Sequence, residues 1–278
     1  MNQARCTICG NAANNLTKDA ELFIYECSLC SHVFAVIPAD QQKKYNHDYF
    51  TKEHENWFKN PNTKLFRFIA GQINAHFGQK NIALLDVGCG NGDFLKFFYR
   101  HRGNSTLCGI DVARLFEDAN ISFLHGDFNT MELKQNFDVV TSLMAIEHIE
   151  NPVLFTKKIF SALERDGMAV VATINSNGLI YRLAGLLKAL GIRGPYERLY
   201  DHAHLQHYTN ASLKKLLENC GFEVLLQRNH NFPLAALDVP KSNVVLETVY
   251  RAGVAAIFTL TSVFGGGMDQ TIICRKAP

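Results

Sequence analysis

No run of lysine or arginine longer than two residues occurs in this 278-residue chain, and 28 basic residues are balanced by 26 acidic ones to a net charge of +2. Nucleic-acid partners are gripped through clustered cations, so the chain as a whole carries no strong nucleic-acid signal, although a local patch is compatible with that balance. The opening residues, Met1-Asn2-Gln3-Ala4-Arg5-Cys6, lack an apolar signal region, which leads to the expectation of a cytoplasmic protein. A membrane-crossing stretch is missing as well. It needs roughly 20 apolar residues, and the best candidate, Val249 to Phe264, is interrupted by Arg251 and Gly253 and stops at Gly265-Gly266-Gly267. Core material is plentiful: 47% of the residues are apolar, enough for one full α/β domain and a small appendage or two.

The eight cysteines are of two kinds. Cys89, Cys108, Cys220 and Cys274 are isolated and read as small buried apolar residues of a reduced protein. Cys6-x-x-Cys9 and Cys27-x-x-Cys30, with 17 residues between the pairs, have the spacing of two knuckles joined by a short hairpin. Four thiolates so placed close a tetrahedral site around zinc, and a segment of about forty residues needs such a tie because it buries little core alone. Residues 1–38 are therefore expected to form a zinc ribbon in which Cys6, Cys9, Cys27 and Cys30 hold a structural ion. A closed four-sulfur shell leaves no open position for a substrate. Two disulfides are the competing arrangement, which a cytoplasmic location disfavours. Ser31 stands where a second knuckle often has glycine.

The chain is organised around Leu84-Leu85-Asp86-Val87-Gly88-Cys89-Gly90-Asn91-Gly92-Asp93-Phe94-Leu95. An apolar run of strand length, Ile82 to Val87, meets three glycines spaced one apart, after which Phe94, Leu95, Phe97 and Phe98 recur with helical period. The pattern is strand, tight turn, helix. Glycines let the backbone turn sharply and approach a ligand without a Cβ in the way, and the helix start offers unpaired N–H groups. A dinucleotide fold wants G-x-G-x-x-G, whereas this turn is G-x-G-x-G with Asp86 just before it. A carboxylate there repels a pyrophosphate and suits a cationic amino-acid group. With these residues the stretch resembles motif I of class I S-adenosylmethionine (SAM)-dependent methyltransferases, whose cofactor carries a sulfonium and an ammonium and no phosphate. The resemblance implies cofactor contacts at Asp86, Gly88, Cys89 and Gly90.

Strand and helix go on alternating, as a doubly wound sheet requires. Ser105 to Val112 reads as the second strand and ends in Gly109-Ile110-Asp111; an acid 25 residues after Asp86 can accept both ribose hydroxyls of a nucleoside beyond the strand ends. Asp111 is the firmest side-chain contact, its competing role being a helix N-cap, and Val112 beside it is a further contact. The third strand, Ile121 to Leu124, runs into Gly126-Asp127-Phe128. That element resembles the methyltransferase segment that bonds the adenine amino group and flanks its ring, which implies Asp127 and Phe128. Phe137 to Ile149 reads as the fourth strand, delivering Met144 and then Glu147-His148 to the cleft. It resembles the small-molecule branch of the family, where a Glu-His pair is frequent here. An imidazole beside a carboxylate can take a proton near neutral pH, so His148 is the first candidate base, with Glu147 and His207 assisting; merely capping the turn before Asn151-Pro152 is the bland alternative.

Two further segments interrupt the sheet. Residues 175–208 contain an apolar helix, Leu179 to Leu190, and the cations Arg182, Lys188, Arg193 and Arg198, of which the arginines are candidates for holding a substrate diphosphate. His202, His204 and His207 lie within six residues, but i, i+2, i+5 is not a helical ligand pair, so proton handling or substrate binding is expected there rather than a second metal. The stretch His202-Ala203-His204-Leu205-Gln206-His207-Tyr208-Thr209 resembles the His-x-x-x-Tyr/Phe-Thr/Ser element found before the fifth helix in many of these enzymes. Residues 232–267 carry the apolar stretch 249–264, read as a pocket cover or homodimer face, with membrane-surface contact as the minor alternative. In the connector, 39–80, Tyr45 and Tyr49 share a helical face and are candidates for lining the substrate pocket.

The expected architecture is thus α/β: a doubly wound seven-stranded Rossmann-like methyltransferase sheet over 81–278, a helical connector over 39–80 and the ribbon over 1–38. The order of these parts resembles deoxysugar C-methyltransferases and polysaccharide-cluster methyltransferases. That implies SAM and structural zinc as cofactors and a small-molecule acceptor such as a nucleotide-linked sugar. An RNA methyltransferase gripping nucleic acid with the ribbon, and a non-catalytic SAM-binding protein, are the alternatives.

Overall fold

Adjacent residues in the central strands point to opposite faces, and the chain uses both faces for packing. Leu84, Val139 and Val170 join one apolar cluster, while their neighbours Leu85, Val140 and Ala169 join another. The computed structural model describes residues 4–18, 23–37, 55–200, 203–238 and 244–277. Tyr45, Tyr49 and His202 lie outside the described residues.

The seven-stranded sheet comprises β4 (Ala83–Val87), β5 (Thr106–Asp111), β6 (Ile121–His125), β7 (Phe137–Leu143), β8 (Leu163–Ile174), β10 (Phe222–His230) and β11 (Asp269–Lys276), in the order β10-β11-β8-β7-β4-β5-β6. Strands β8, β7, β4, β5 and β6 run parallel, and β11 enters antiparallel between β8 and β10. One face is covered by α2 (Thr63–Phe77) and α3 (Asp93–His101), through Leu65, Ile69, Ile73, Phe94 and Phe98. The other is covered by α4 (Pro152–Ala162) and α7 (Asn210–Asn219), through Phe155, Ile159, Leu213 and Leu217. Local chemistry starts these helices where they start. The Asn62 and Asn151 side chains accept the N–H groups of Leu65 and Leu154, Pro152 follows the second cap, and Thr209 with Ser212 forms a capping box.

The expected sheet and its flanking layers are present. Strand β8 starts directly at the end of α4, at Leu163, and is irregular near that start: Asp166 takes a positive φ of 61° and the pairing with β7 slips between Phe137 and Val139. The apolar helix near the C-terminus, α8 (Val244–Phe264), starts five residues before the expected stretch. The ribbon is larger than residues 1–38 alone. Its strands β1 (Ala13–Lys18), β2 (Phe23–Cys27) and β3 (Val33–Val36) are joined by β9 (Gln206–His207), taken from the second half of the chain. Short helices α1 (Glu55–Lys59), α5 (Leu179–Ala189) and α6 (Gly194–Leu199) complete the described elements together with 3₁₀ turns at Ile146–His148 and Leu234–Ala236. Among the described residues no helix is long and apolar enough to cross a membrane.

Candidate active site

Strand β4 pairs with β5 on one side and β7 on the other, so the chain direction of winding reverses there and a crevice opens beyond the strand ends. The cleft at this point has a volume of about 690 Å³, room for a nucleoside-sized donor beside a second small molecule. It gathers the residues implied by the glycine turn, by the ends of β5 and β6 and by the segment after β7: Asp86, Gly88, Cys89, Gly90, Asp111, Val112, Asp127, Phe128, Met144, Glu147 and His148 all line it.

Backbone geometry explains the glycines. Gly88 has φ of 74°, and a Cβ there would sit 2.5 Å from the Cβ of Ala145. The missing side chain at Gly88 therefore admits the turn after β7 as well as any ligand. Asp111 is already engaged by the turn: one carboxylate oxygen accepts the Gly90 N–H at 2.9 Å and the other the Ala113 N–H at 2.9 Å. These bonds clamp the glycine turn to the end of β5 and leave further lone pairs for hydroxyl donors. Asp86 is fully buried and accepts from Thr141 Oγ1 at 2.6 Å. Burial pushes its carboxyl up to about 7, the Thr141 bond opposes the shift and the Asp111 charge adds to it. A bound ammonium would hold it ionised.

The other end of the cleft carries the acid-base groups. His148 donates Nδ1–H to the Ala203 carbonyl at 2.7 Å; a carbonyl only accepts, so in the neutral ring the lone pair is on Nε2. Glu147 is buried, accepts from Thr173 Oγ1 at 2.7 Å, and is pushed up to about 7 by burial against the pull of that bond. His204 completes the group, its ring centroid 5.0 Å from that of His148. One nitrogen or oxygen atom from each of Glu147, His148 and His204 lies within 4.8 Å of the others. Of His204 and His207, the described histidines of this segment, it is His204 that lines the cleft. His207 is buried on β9, its ring 4.5 Å from that of Tyr200. Two residues that no motif signalled also line the cleft: Asp269 and His230, with Asp269 Oδ2 3.8 Å from His230 Nδ1. Burial, reinforced by the Glu147 charge, holds the Asp269 carboxyl well above its usual range.

No lysine or arginine lines the cleft among the described residues. The expectation that Arg182, Arg193 or Arg198 grips a diphosphate is corrected accordingly. Arg182 bonds the Asn177 side chain and Arg198 the Asp238 carbonyl, and none of the three borders the cavity. The outer wall is apolar instead, with Trp57, Phe66, Phe232, Pro233, Leu237 and Met268. Phe232 is backed by Phe258 of α8, ring centroids 5.1 Å apart, so the apolar helix braces this wall.

The four thiols of the ribbon also converge. Cys6 Sγ lies 3.5 Å from Cys30 Sγ and Cys9 Sγ 3.5 Å from Cys27 Sγ, and all four sulfurs fall within 4.8 Å of one another. A tetrahedral zinc with bonds of about 2.3 Å sets sulfurs roughly 3.8 Å apart, so the residues fit that ion. A disulfide needs about 2.05 Å, and all eight cysteines are unbridged. At Cys9 burial raises the thiol, but hydrogen bonds from Asn11, with Cys27 and Cys30 adding, outweigh it and bring it down to about 6, whereas burial pushes Cys6 and Cys30 up; a bound cation would favour the thiolate at all four.

A doubly wound sheet with a glycine turn, two acidic strand ends, a buried Glu147 and a half-buried His148 is the arrangement expected of a SAM-dependent methyltransferase. A family model described as a methyltransferase domain matches residues 62–227, and the chain belongs to that family. A ubiquinone biosynthesis O-methyltransferase of Rickettsia bellii (strain OSU 85-389) is 26% identical over 192 residues, covering 66% of this chain and 79% of that protein. The fold matches magnesium protoporphyrin IX methyltransferase from Synechocystis PCC 6803, solved with bound S-adenosylhomocysteine, with TM-score 0.53 and 14% identity over 83% of this chain and 97% of that one. It also matches a SAM-dependent methyltransferase from Archaeoglobus fulgidus with TM-score 0.52 and 20% identity, covering 84% of this chain and all of that one (100%).

Proposed function

We propose that the enzyme transfers the methyl group of SAM to a hydroxyl of a small acceptor that carries no phosphate at its reactive end. The observation that supports this most is the pairing of the Glu147-His148-His204 corner with a wall that holds no cation among the described residues. A diphosphate in this cleft would find carboxyl groups at Asp86, Asp111, Glu147 and Asp269 and, among the described residues, no lysine or arginine to offset its charge. A neutral sugar or an aromatic alcohol meets the apolar wall instead. The O-methyltransferase relative favours oxygen as the atom methylated.

In this reading Asp86 holds the donor's ammonium, the Gly88 to Gly90 backbone its carboxylate side, Asp111 its ribose, and Asp127 with Phe128 its adenine. When bound, SAM supplies an electrophilic methyl carbon. His148 Nε2 removes the acceptor proton, the Ala203 carbonyl keeps the ring in the tautomer that can do so, and Glu147 stabilises the imidazolium. The ribbon holds one structural zinc through Cys6, Cys9, Cys27 and Cys30, and its free thiols suit a reducing, cytoplasmic setting.

The test is a screen with methyl-labelled SAM against neutral monosaccharides, catechols, nucleoside-diphosphate sugars and RNA. Turnover confined to the neutral hydroxyl compounds is expected. Turnover confined to the diphosphate sugars or RNA would overturn the reading of the acceptor while leaving the donor site untouched.

A further inference from the structure

The two knuckles of the ribbon and the reactive corner of the cleft meet at one buried side chain, Gln206. Its carboxamide oxygen accepts from Thr7 Oγ1 at 2.8 Å and from His32 Nε2 at 2.9 Å. Thr7 lies between Cys6 and Cys9, and His32 is two residues past Cys30, so each knuckle is held. Its amide nitrogen donates to the Ile149 carbonyl at 2.9 Å and to the Glu150 carbonyl at 3.5 Å, the two residues directly after His148.

Neighbouring residues repeat this two-sided pattern. Leu205 N–H donates to the Glu147 carbonyl at 2.9 Å, while the Leu205 carbonyl accepts from Ala35 N–H at 2.8 Å. Tyr208 lays its ring 5.0 Å from that of His32 and donates its hydroxyl to the Ile146 carbonyl at 3.4 Å. Residues 203–208 therefore act as a splint, with the ribbon along one edge and the turn Ile146–Glu150 along the other. A single 3₁₀ turn has little internal bonding to fix it, so its position depends on what it is tied to. A four-cysteine ribbon depends in turn on its metal for order.

We propose that Gln206 is a positioning residue: through it, an occupied four-cysteine knot sets the Glu147-His148 turn in place for methyl transfer. The inference rests on the zinc and base assignments above. A misplacement of about 1 Å at the acid-base group is enough to cost roughly a hundredfold in rate, which makes the splint a point of control over an otherwise intact cofactor site.

Full-length protein is compared zinc-loaded and zinc-stripped, as wild type and as Gln206→Leu, by hydrogen exchange and by ¹⁵N-histidine NMR. The His148 signal is assigned by its loss in His148→Gln. In loaded wild type, His148 is expected in the Nδ1–H tautomer with the amides of 146–150 protected. Gln206→Leu, still holding one zinc per chain, should raise exchange at 146–150 about tenfold and mix the tautomers, with 84–95 unchanged. Stripping should do the same to wild type and add little more to the variant, because both break one linkage. Gln206→Glu, which keeps the accepting oxygens but loses the donor, should follow Gln206→Leu. Unchanged exchange and tautomer in loaded Gln206→Leu, or full additivity with stripping, overturns the proposal. Wild type purified without metal would overturn the zinc assignment instead, and the Gln206→Leu spectra would still decide the positioning role.

Discussion

The Nδ1 of His148 donates to the carbonyl oxygen of Ala203 across 2.7 Å, a bond between residues 55 apart in the chain. In the neutral ring it leaves the lone pair on Nε2, the form a base at this position requires. His148→Gln is expected to lower turnover by about 10²- to 10⁴-fold while the dissociation constant for SAM stays within about twofold, measured by calorimetry. Turnover close to wild type would remove His148 from the role of base.

Asp86 ties donor binding to pH. Its carboxyl is pushed up to about 7 chiefly by burial, so in the unliganded protein it holds a proton that the unfolded chain releases near pH 4. Between those values the folded state binds more protons than the unfolded one, and this group's contribution to stability is lost as pH rises from about 4 to 7. An ammonium prefers the ionised carboxylate, so SAM affinity should climb by up to about tenfold per pH unit over the upper part of that window and level off above 7. Asp86→Asn should flatten both profiles, read by thermal denaturation and calorimetry across pH.

Metal analysis of the purified protein should find one zinc per chain. Cys27→Ser should release it and lower Tm by at least about 5 °C. A variant that loses the ion and melts unchanged would show that the ribbon does not depend on it.

At Gly88 two costs coincide: a positive φ and the Ala145 Cβ at 2.5 Å from any added methyl. Gly78 has a positive φ of 59° but open space around it. Gly78→Ala is expected to cost about 1 kcal/mol and Gly88→Ala about 2 to 3 kcal/mol, compared by denaturant unfolding. Ala145→Gly in the Gly88→Ala background should recover part of the difference, since it removes the clash and leaves the strained φ.

Much of this molecule is legible in short windows. The run from Ile82 to Leu95 announces strand, turn and helix because burial of both sheet faces and three closely spaced glycines leave a local mark. The cysteine pairs announce a knot for the same reason. His204 and His207 were not separable in that way. They are three residues apart, and only the pairing of Gln206 and His207 with Phe34 and Val33 turns one ring beneath Tyr200 and leaves the other at the cleft. The arginines of residues 175–208 misled because a cation near a substrate-binding insertion carries no record of which way its helix faces.

Asp269 and His230 left no local mark at all. They meet across the antiparallel pair β10-β11, and their presence in the cleft depends on a strand from the C-terminal end entering beside β8.

The amino-acid sequence by itself determined the class of fold, the glycine turn and the convergence of four cysteines, since each follows from periodicity, backbone freedom or spacing within a few dozen residues. Only the tertiary structure decided which of His204 and His207 borders the cleft, that the cleft wall is apolar and without a cation among the described residues, and that Thr7 is bonded to Gln206 from 199 positions away. The physical reason is that a hydrogen bond or a shared wall between distant segments depends on packing in three dimensions, which no single stretch of chain encodes.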